Sequence, residues 1–268
     1  MKFNVISSGS KGNITYVEHA STKILIDAGI SLKEIKARTN INLQEIDAIL
    51  VTHEHSDHVS NLINIAKETK ANIYIDENSF VAFLNGKGNR EKAKDLNFFF
   101  ISANKKYQIK DIMVYTLLLN HDTASCLGFI FNSGEDSLAY ITDTGFVPVP
   151  YISILQKVNA LIIEANHDIE LLNNSKRPYF LKERIFSVNG HMSNVICGQI
   201  VNNVLKSKKL KILVLAHLSE ECNTEELAVD TVMSKIEGEY LPEIIVAKQY
   251  KATGIIDISD ANKINMCG

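Results

Sequence analysis

The densest chemistry in this chain lies in His53-Glu54-His55-Ser56-Asp57-His58, which places three imidazoles and a carboxylate in one short stretch. Imidazole and carboxylate are the ligands that borderline and hard divalent metals prefer. A loop can point alternate residues the same way, so His53 and His55 can share one metal while Asp57 and His58 face a second. A His-rich loop can also be a solvated turn or a fortuitous surface site. Three further residues argue against that. His121, Asp143 and His217 each follow an apolar run, at 115–119, 138–142 and 212–216. A lone residue there is a cap or turn residue; the repeated placement of ligand-type groups just past strand ends is not explained that way.

The elements that must hold these groups follow from the apolar pattern. Strands are expected at 3–6, 14–18, 23–27, 48–51 and 72–75, with helices at 32–38, 59–68 and 77–84. The run 48–51 leads straight into the His-rich motif, and strand carboxyl ends are where α/β sheets expose their chemistry. Glycines and charges at 85–90 mark an exposed excursion. A second β-rich half follows, with strands at 97–101, 112–119, 127–131, 137–142, 160–164 and 211–215. Helices are expected at 148–157, 195–205 and 224–236, and an edge strand at 244–247. Two mixed sheets with helices outside make an α+β protein, a four-layer αββα sandwich.

Composition narrows the class. At 268 residues, nearly half apolar, with no Pro/Gly/Ser-rich linker, the chain reads as a single domain, 1–268. The first residues lack the apolar core of a signal peptide, and no apolar stretch approaches the roughly 20 residues needed to span a bilayer. The expectation is a cytoplasmic protein without a membrane partner. Cys126, Cys197, Cys222 and Cys267 are scattered with no Cys-x-x-Cys pair, so a disulfide framework is not expected. Cys126 and Cys197 read as core residues, and Cys222 as a weak candidate for a stray ligand. Net charge is −3, which does not announce a nucleic-acid binder. Lys206, Lys208, Lys209 and Lys211 read as a solvated turn, whereas Arg177, Lys182 and Arg184 lie close to candidate site residues in sequence.

His-x-His-x-Asp-His after an apolar strand is the signature of the metallo-β-lactamase superfamily. The chain resembles one branch of it, the YycJ/WalJ-type metallohydrolases related to ribonuclease Z, from about residue 3 to about residue 232. The resemblance is carried by Gly9-Ser10-Lys11-Gly12-Asn13, Leu25-Ile26-Asp27-Ala28-Gly29 and Thr52 through His58. Further on come His121-Asp122, Thr142-Asp143-Thr144-Gly145, Glu164-Ala165-Asn166-His167-Asp168, Gly190-His191-Met192-Ser193-Asn194 and Ala216-His217-Leu218-Ser219. It implies the metallo-β-lactamase fold. The β-CASP insertion of related nucleases would fall between Asp143 and Glu164, which are too close in sequence to contain it.

The resemblance also implies a ligand set. His53, His55 and His121 would hold one metal, Asp57, His58 and His217 the second, and Asp143 would bridge them. Two dications close together need such an anionic bridge to offset repulsion. The pair would activate water and neutralise charge on a phosphodiester, with Asp57 orienting the water or taking its proton. His191 matches the proton-donating histidine of ribonuclease Z, and Glu164 the glutamate paired with it. His191 could instead cap the helix starting near Ser193. Asp27 would support the histidines by hydrogen bonding. The Ser7–Asn13 loop could present N–H groups to phosphate or be a tight turn. His167 has no assigned role.

The implied activity is a dinuclear metal phosphodiesterase on nucleic acid, a 5′→3′ DNA exonuclease with two Mn²⁺ or Zn²⁺ ions; Fe²⁺ also suits the ligands. DNA is preferred to RNA as partner, and no protein partner is indicated. One alternative is a small-molecule metallohydrolase acting on a cyclic phosphodiester, thioester or lactone. The Glu164–His191 pair disfavours the last two, whose leaving groups need less proton donation. Another alternative is a non-catalytic regulatory protein, disfavoured by the complete ligand set.

Overall fold

In the computed structural model, which describes residues 1–260, two seven-stranded mixed sheets carry the fold. The chain divides into two compact units. One takes Met1–Leu118, Thr123–Leu127 and Lys248–Ile256; the other takes Leu119–Asp122, Gly128–Ala247 and 257–260.

The first unit runs β1 (Lys2–Ser7), β2 (Ile14–His19), β3 (Thr22–Ile26), α1 (Leu32–Arg38), β4 (Ala48–Leu50), α2 (Ser56–Val59), α3 (Leu62–Thr69) and β5 (Asn72–Ile75). It continues with α4 (Glu77–Leu84), α5 (Asn89–Ala93), β6 (Phe98–Phe100), β7 (Lys106–Ile109) and β8 (Ile112–Leu119). Antiparallel β1–β2–β3 gives way to parallel β3–β4–β5–β6. Strand β4 and the last three residues of β3, Ile24 to Ile26, are unbroken apolar runs because no residue in them faces water. Ile35 of α1, Leu62, Ile65 and Ala66 of α3 and Phe83 of α4 join this core. Helix α1 starts where the sequence has a capping box: Ser31 Oγ accepts from Glu34 N–H, and the Glu34 carboxylate accepts from Ser31 N–H at 3.0 Å.

The second unit runs β9 (Cys126–Asn132), β10 (Ser137–Ile141), α6 (Val149–Leu155), β11 (Ala160–Glu164), α7 (Ile169–Asn174), α8 (Tyr179–Phe186) and α9 (Asn194–Leu205). Then come β12 (Ile212–Ala216), α10 (Glu225–Met233) and β13 (Glu243–Val246); β14 (Ile256–Asp257) follows. The sheet orders are β14-β1-β2-β3-β4-β5-β6 and β13-β12-β11-β10-β9-β8-β7, so β13 is the expected edge strand. Strands β10, β11, β12 and β13 are parallel, with Ile141 opposite Ile163 and Ile163 opposite Leu215. That register brings the residues after Ile141, at Glu164 and after Ala216 to one end of the sheet.

The helix expected over 59–68 begins earlier. His55 is extended at the N-cap position and its carbonyl accepts from His58 and Val59 N–H groups at 2.9 and 3.1 Å. Asp57 and His58 therefore sit in a helical turn rather than in a loop. The excursion at 85–90 runs into α5. Helices α7 and α8 carry no clear period in the sequence, being short and apolar on more than one face, and β7 is too short for its alternation to mark a strand by itself. Among the described residues no helix is long and apolar enough to cross a membrane. Cys126, Cys197 and Cys222 are buried and in no disulfide among the described residues, and Cys267 lies outside them.

Candidate functional site

In the first unit the metal motif is built on two supports. Asp27, just past β3, is fully buried and held at φ +63°, a left-handed conformation that a short polar side chain tolerates. It accepts from Thr52 N–H at 2.8 Å, from Thr52 Oγ1 at 3.0 Å and from His58 Nδ1 at 2.8 Å. Burial pushes the Asp27 carboxyl above its ordinary range, against the pull of His58 and the Thr52 donors. Thr52 Oγ1 also lies 3.0 Å from His53 Nδ1. The His53 ring stands edge-on to His55, with centroids 4.7 Å apart, and 4.1 Å from the ring of His58.

The second support is Asn13. Its amide donates to Asp57 Oδ2 at 3.2 Å and lies 3.1 Å from His58 Nε2, while its N–H donates to the Asp57 carbonyl at 2.8 Å. The N–H groups of Ser8, Gly9, Lys11, Gly12 and Asn13 are all taken up by protein acceptors. The Ser7–Asn13 segment is therefore a turn that braces Asp57, not a cradle of donors for phosphate.

In the second unit the strand ends gather His121, Asp143, Glu164, His191 and His217. Asp143 and His217 both have positive φ, +58° and +56°, directly past β10 and β12. Three non-glycine residues in this conformation, counting Asp27, are of the kind that surrounding structure must hold in place. Asp143 Oδ1 is the hub, 3.5 Å from His217 Nε2, 3.8 Å from His191 Nδ1 and 4.0 Å from His121 Nε2. Asp143, Glu164, His191 and His217 offer ligand-type atoms within 4.8 Å of one another.

Glu164 is fully buried. Its Oε1 lies 2.7 Å from His191 Nδ1 and 3.0 Å from His217 Nδ1, and its Oε2 accepts from Thr144 N–H at 2.9 Å. Burial alone would raise its pKa, but the facing imidazoles outweigh burial and hold it well below the usual carboxylate range. Helix α9 is capped by Ser193, whose hydroxyl accepts from Ile196 N–H, so His191 is not the cap. His121 Nδ1 lies 3.2 Å from the Gly190 carbonyl.

The donor set fits divalent metals. His58, His121 and His217 each direct Nδ1 to an oxygen acceptor, and a neutral imidazole that donates through Nδ1 carries its lone pair on Nε2. This is the orientation a metal-binding histidine requires. Asp57 in the first unit and Asp143 in the second are carboxylates, oxygen donors of the kind divalent metals accept.

Some positioning residues carry weak sequence signals. Asn166 donates to the His217 carbonyl at 2.8 Å. Asn223 donates to the Ala165 carbonyl at 2.8 Å and exchanges amide hydrogen bonds with Asn194. Asn166 and Asn194 lie in segments that stand out by resemblance; Asn223 has no signal at all. Asp168, not His167, caps α7. His167 is buried against Phe186 with neither ring nitrogen hydrogen-bonded among the described residues, and burial pushes its pKa down to about 4. Cys222 packs with Leu172 and Ile185 in a small core, so it is not a ligand.

Residues 22–217 match the profile of a family described as Beta-lactamase superfamily domain. The chain is 35% identical over 240 residues to exodeoxyribonuclease YycJ of Bacillus anthracis, covering 88% of this chain and 89% of that one. It is 33% identical over 239 residues to exodeoxyribonuclease WalJ of Streptococcus pneumoniae, covering 88% of each. Among solved structures it is similar to the metallo-β-lactamase fold protein YhfI from Bacillus subtilis, with a TM-score of 0.72 and 14% identity over 94% of this chain and 98% of that chain. At that identity the likeness shows the fold alone, and the fold is the αββα sandwich expected from the strand and helix pattern.

Proposed function

The chain belongs to the metallo-β-lactamase superfamily of metal-dependent hydrolases, and from that membership we propose that it is a nuclease hydrolysing DNA from its 5′ end. The observation that carries the phosphodiester reading is the 2.7 Å contact between His191 Nδ1 and the buried Glu164 carboxylate. An alkoxide leaving group needs a proton, and a fixed imidazole backed by a buried anion is built to supply one.

We assign His53, His55 and His121 to one metal, Asp57, His58 and His217 to a second, and Asp143 to both. This rests on the family's motif order and on the imidazole orientations within each unit. Divalent metals at such a site acidify water and offset phosphate charge. The remaining work belongs to the chain. Asp57, held by Asn13, takes the proton shed by the attacking water. His191 gives a proton to the departing 3′ or 5′ oxygen. Glu164 keeps His191 oriented and stabilises the protonated ring.

The family profile runs across both compact units, which supports reading 1–268 as one hydrolase domain. Ligands of imidazole and carboxylate without thiolate suit Mn²⁺ or Zn²⁺, and also Fe²⁺. DNA rather than RNA is inferred from the names of the two full-length relatives, and a cytoplasmic location goes with DNA as substrate.

The test is digestion of end-labelled single- and double-stranded DNA and RNA by protein reconstituted with each metal in turn. Stepwise mononucleotide release from DNA 5′ ends is expected. Hydrolysis of a chromogenic phosphodiester with no cleavage of any nucleic acid would overturn the nuclease reading in favour of a small-molecule hydrolase.

A further inference from the structure

Helix α8 presents its largest side chains to water. Tyr179 is 74% exposed and Phe180 72%, with Phe186 and Val188 also exposed. The opposite face is anchored: Leu181 and Ile185, one turn apart, pack on Leu172 and Cys222. Helical spacing therefore puts Tyr179, Phe180 and Glu183 outward, with Arg184 one turn below Phe180. These exposed aromatics on an anchored helix form an apolar patch open to a ligand.

Cationic side chains flank them, the two arginines paired with carboxylates. Residues 169–188 carry Lys176, Arg177, Lys182 and Arg184 against Glu170 and Glu183, in a chain whose net charge is −3. Arg177 pairs with Glu221 through Nε at 2.7 Å, and Arg184 Nε pairs with Asp122, the neighbour of His121. Exposed pairs of this kind exchange readily for phosphate contacts.

The helix is also fastened to the proton-donating loop. The Ile185 carbonyl accepts from His191 N–H at 2.9 Å. A side chain at Gly190 would meet the Arg184 and Ile185 carbonyls within 2.3 Å, and one at Gly145 would meet the Ser187 carbonyl at 2.4 Å. The chain thus needs glycine at both places to bring the end of α8 against the segments bearing His191 and Asp143.

We propose that α8 is a stacking platform for unpaired bases of the substrate strand next to the hydrolysed phosphate. Tyr179 and Phe180 offer the ring faces, and Arg177, Lys182 and Arg184 hold the flanking phosphates. The proposal rests on the nuclease reading above and adds that the site takes a single-stranded or frayed end. Flat aromatic faces interleaved with guanidinium groups match the chemistry of nucleobases between phosphates.

The chain contains no tryptophan, so Phe180→Trp gives a unique fluorophore on the platform. Titration with a short single strand should quench its emission, while a strand with the same phosphates but abasic sugars should not. Tyr179→Ala combined with Phe180→Ala should weaken binding of the base-bearing strand about tenfold or more and leave abasic-strand binding little changed. Equal response to both strands, or an emission change driven by protein concentration alone, overturns the platform; the latter would mark the face as a contact between copies. Base-dependent quenching without nucleotide release on metal loading would sustain the platform and overturn the nuclease reading. Nucleotide release without base-dependent quenching would do the reverse.

Discussion

Glu164 and His191 are joined by a 2.7 Å contact between a fully buried carboxylate oxygen and Nδ1 of a ring whose side chain is 22% exposed. The same carboxylate oxygen holds His217 Nδ1 at 3.0 Å. One anion therefore orients a proposed proton donor and a proposed metal ligand together.

His191→Ala should keep its metal but lose about 100-fold or more in turnover on oligonucleotides, the usual size of a general-acid contribution. A nitrophenyl phosphodiester, whose leaving group needs no proton, should be slowed far less. Equal slowing of both substrates, with metal content followed by elemental analysis, would remove the proton-donor role. Glu164→Gln should in addition weaken metal binding, because it loosens His217.

Asp27→Asn tests the support beneath His58 without disturbing the backbone, since Asn tolerates the +63° φ found there. Loss of the charged acceptor for His58 Nδ1 should lower metal affinity by roughly 10- to 100-fold. A chelator competition titration measures it. Wild-type affinity in the variant would mean that Thr52 alone orients the ring.

His167 makes stability depend on pH. Its pKa is pushed from 6.5 down to about 4 by burial, so between these values the unfolded chain binds a proton that the folded chain does not. Stability from this group is full above pH 6.5, falls as pH drops through the window, and levels off below about 4. The loss between pH 7 and pH 5 should be about 2 kcal/mol. Urea unfolding of metal-free protein at the two pH values should show it, and His167→Phe should remove that part of the difference. An unchanged difference in the variant would place the acid sensitivity elsewhere.

Arg177→Ala and Arg184→Ala should each weaken DNA binding uniformly across sequences. Each lost phosphate contact should reduce the slope of log affinity against log salt by about 0.7 to 0.9. Anisotropy titrations at several salt concentrations give the slope. An unaltered slope would mean that these side chains serve only their partners Glu221 and Asp122.

Much of the architecture is legible in the chain by itself. Apolar runs mark β5, β8, β11, α1 and α4 to the residue, because strand and helix periods are local properties of side-chain order. Ligand-type residues at run ends mark both halves of the candidate site, because side chains beyond a strand are free to serve something other than packing. Local order could not place α2 around Asp57 and His58, since its start depends on the conformation of His55. Nor could it find α7 and α8, whose short apolar stretches become helical by packing Leu172, Leu181, Ile185 and Cys222 together.

Residue types and strand order by themselves determined the family, the sandwich of two mixed sheets and the inventory of imidazoles and carboxylates. Folding alone decided which partner each of them meets. Asn13 reaches Asp57 across 44 positions, Glu164 reaches His191 across 27 and His217 across 53. Such pairings are set by sheet register and by left-handed turns at Asp27, Asp143 and His217, and neither leaves a period that neighbouring residues in the chain could reveal.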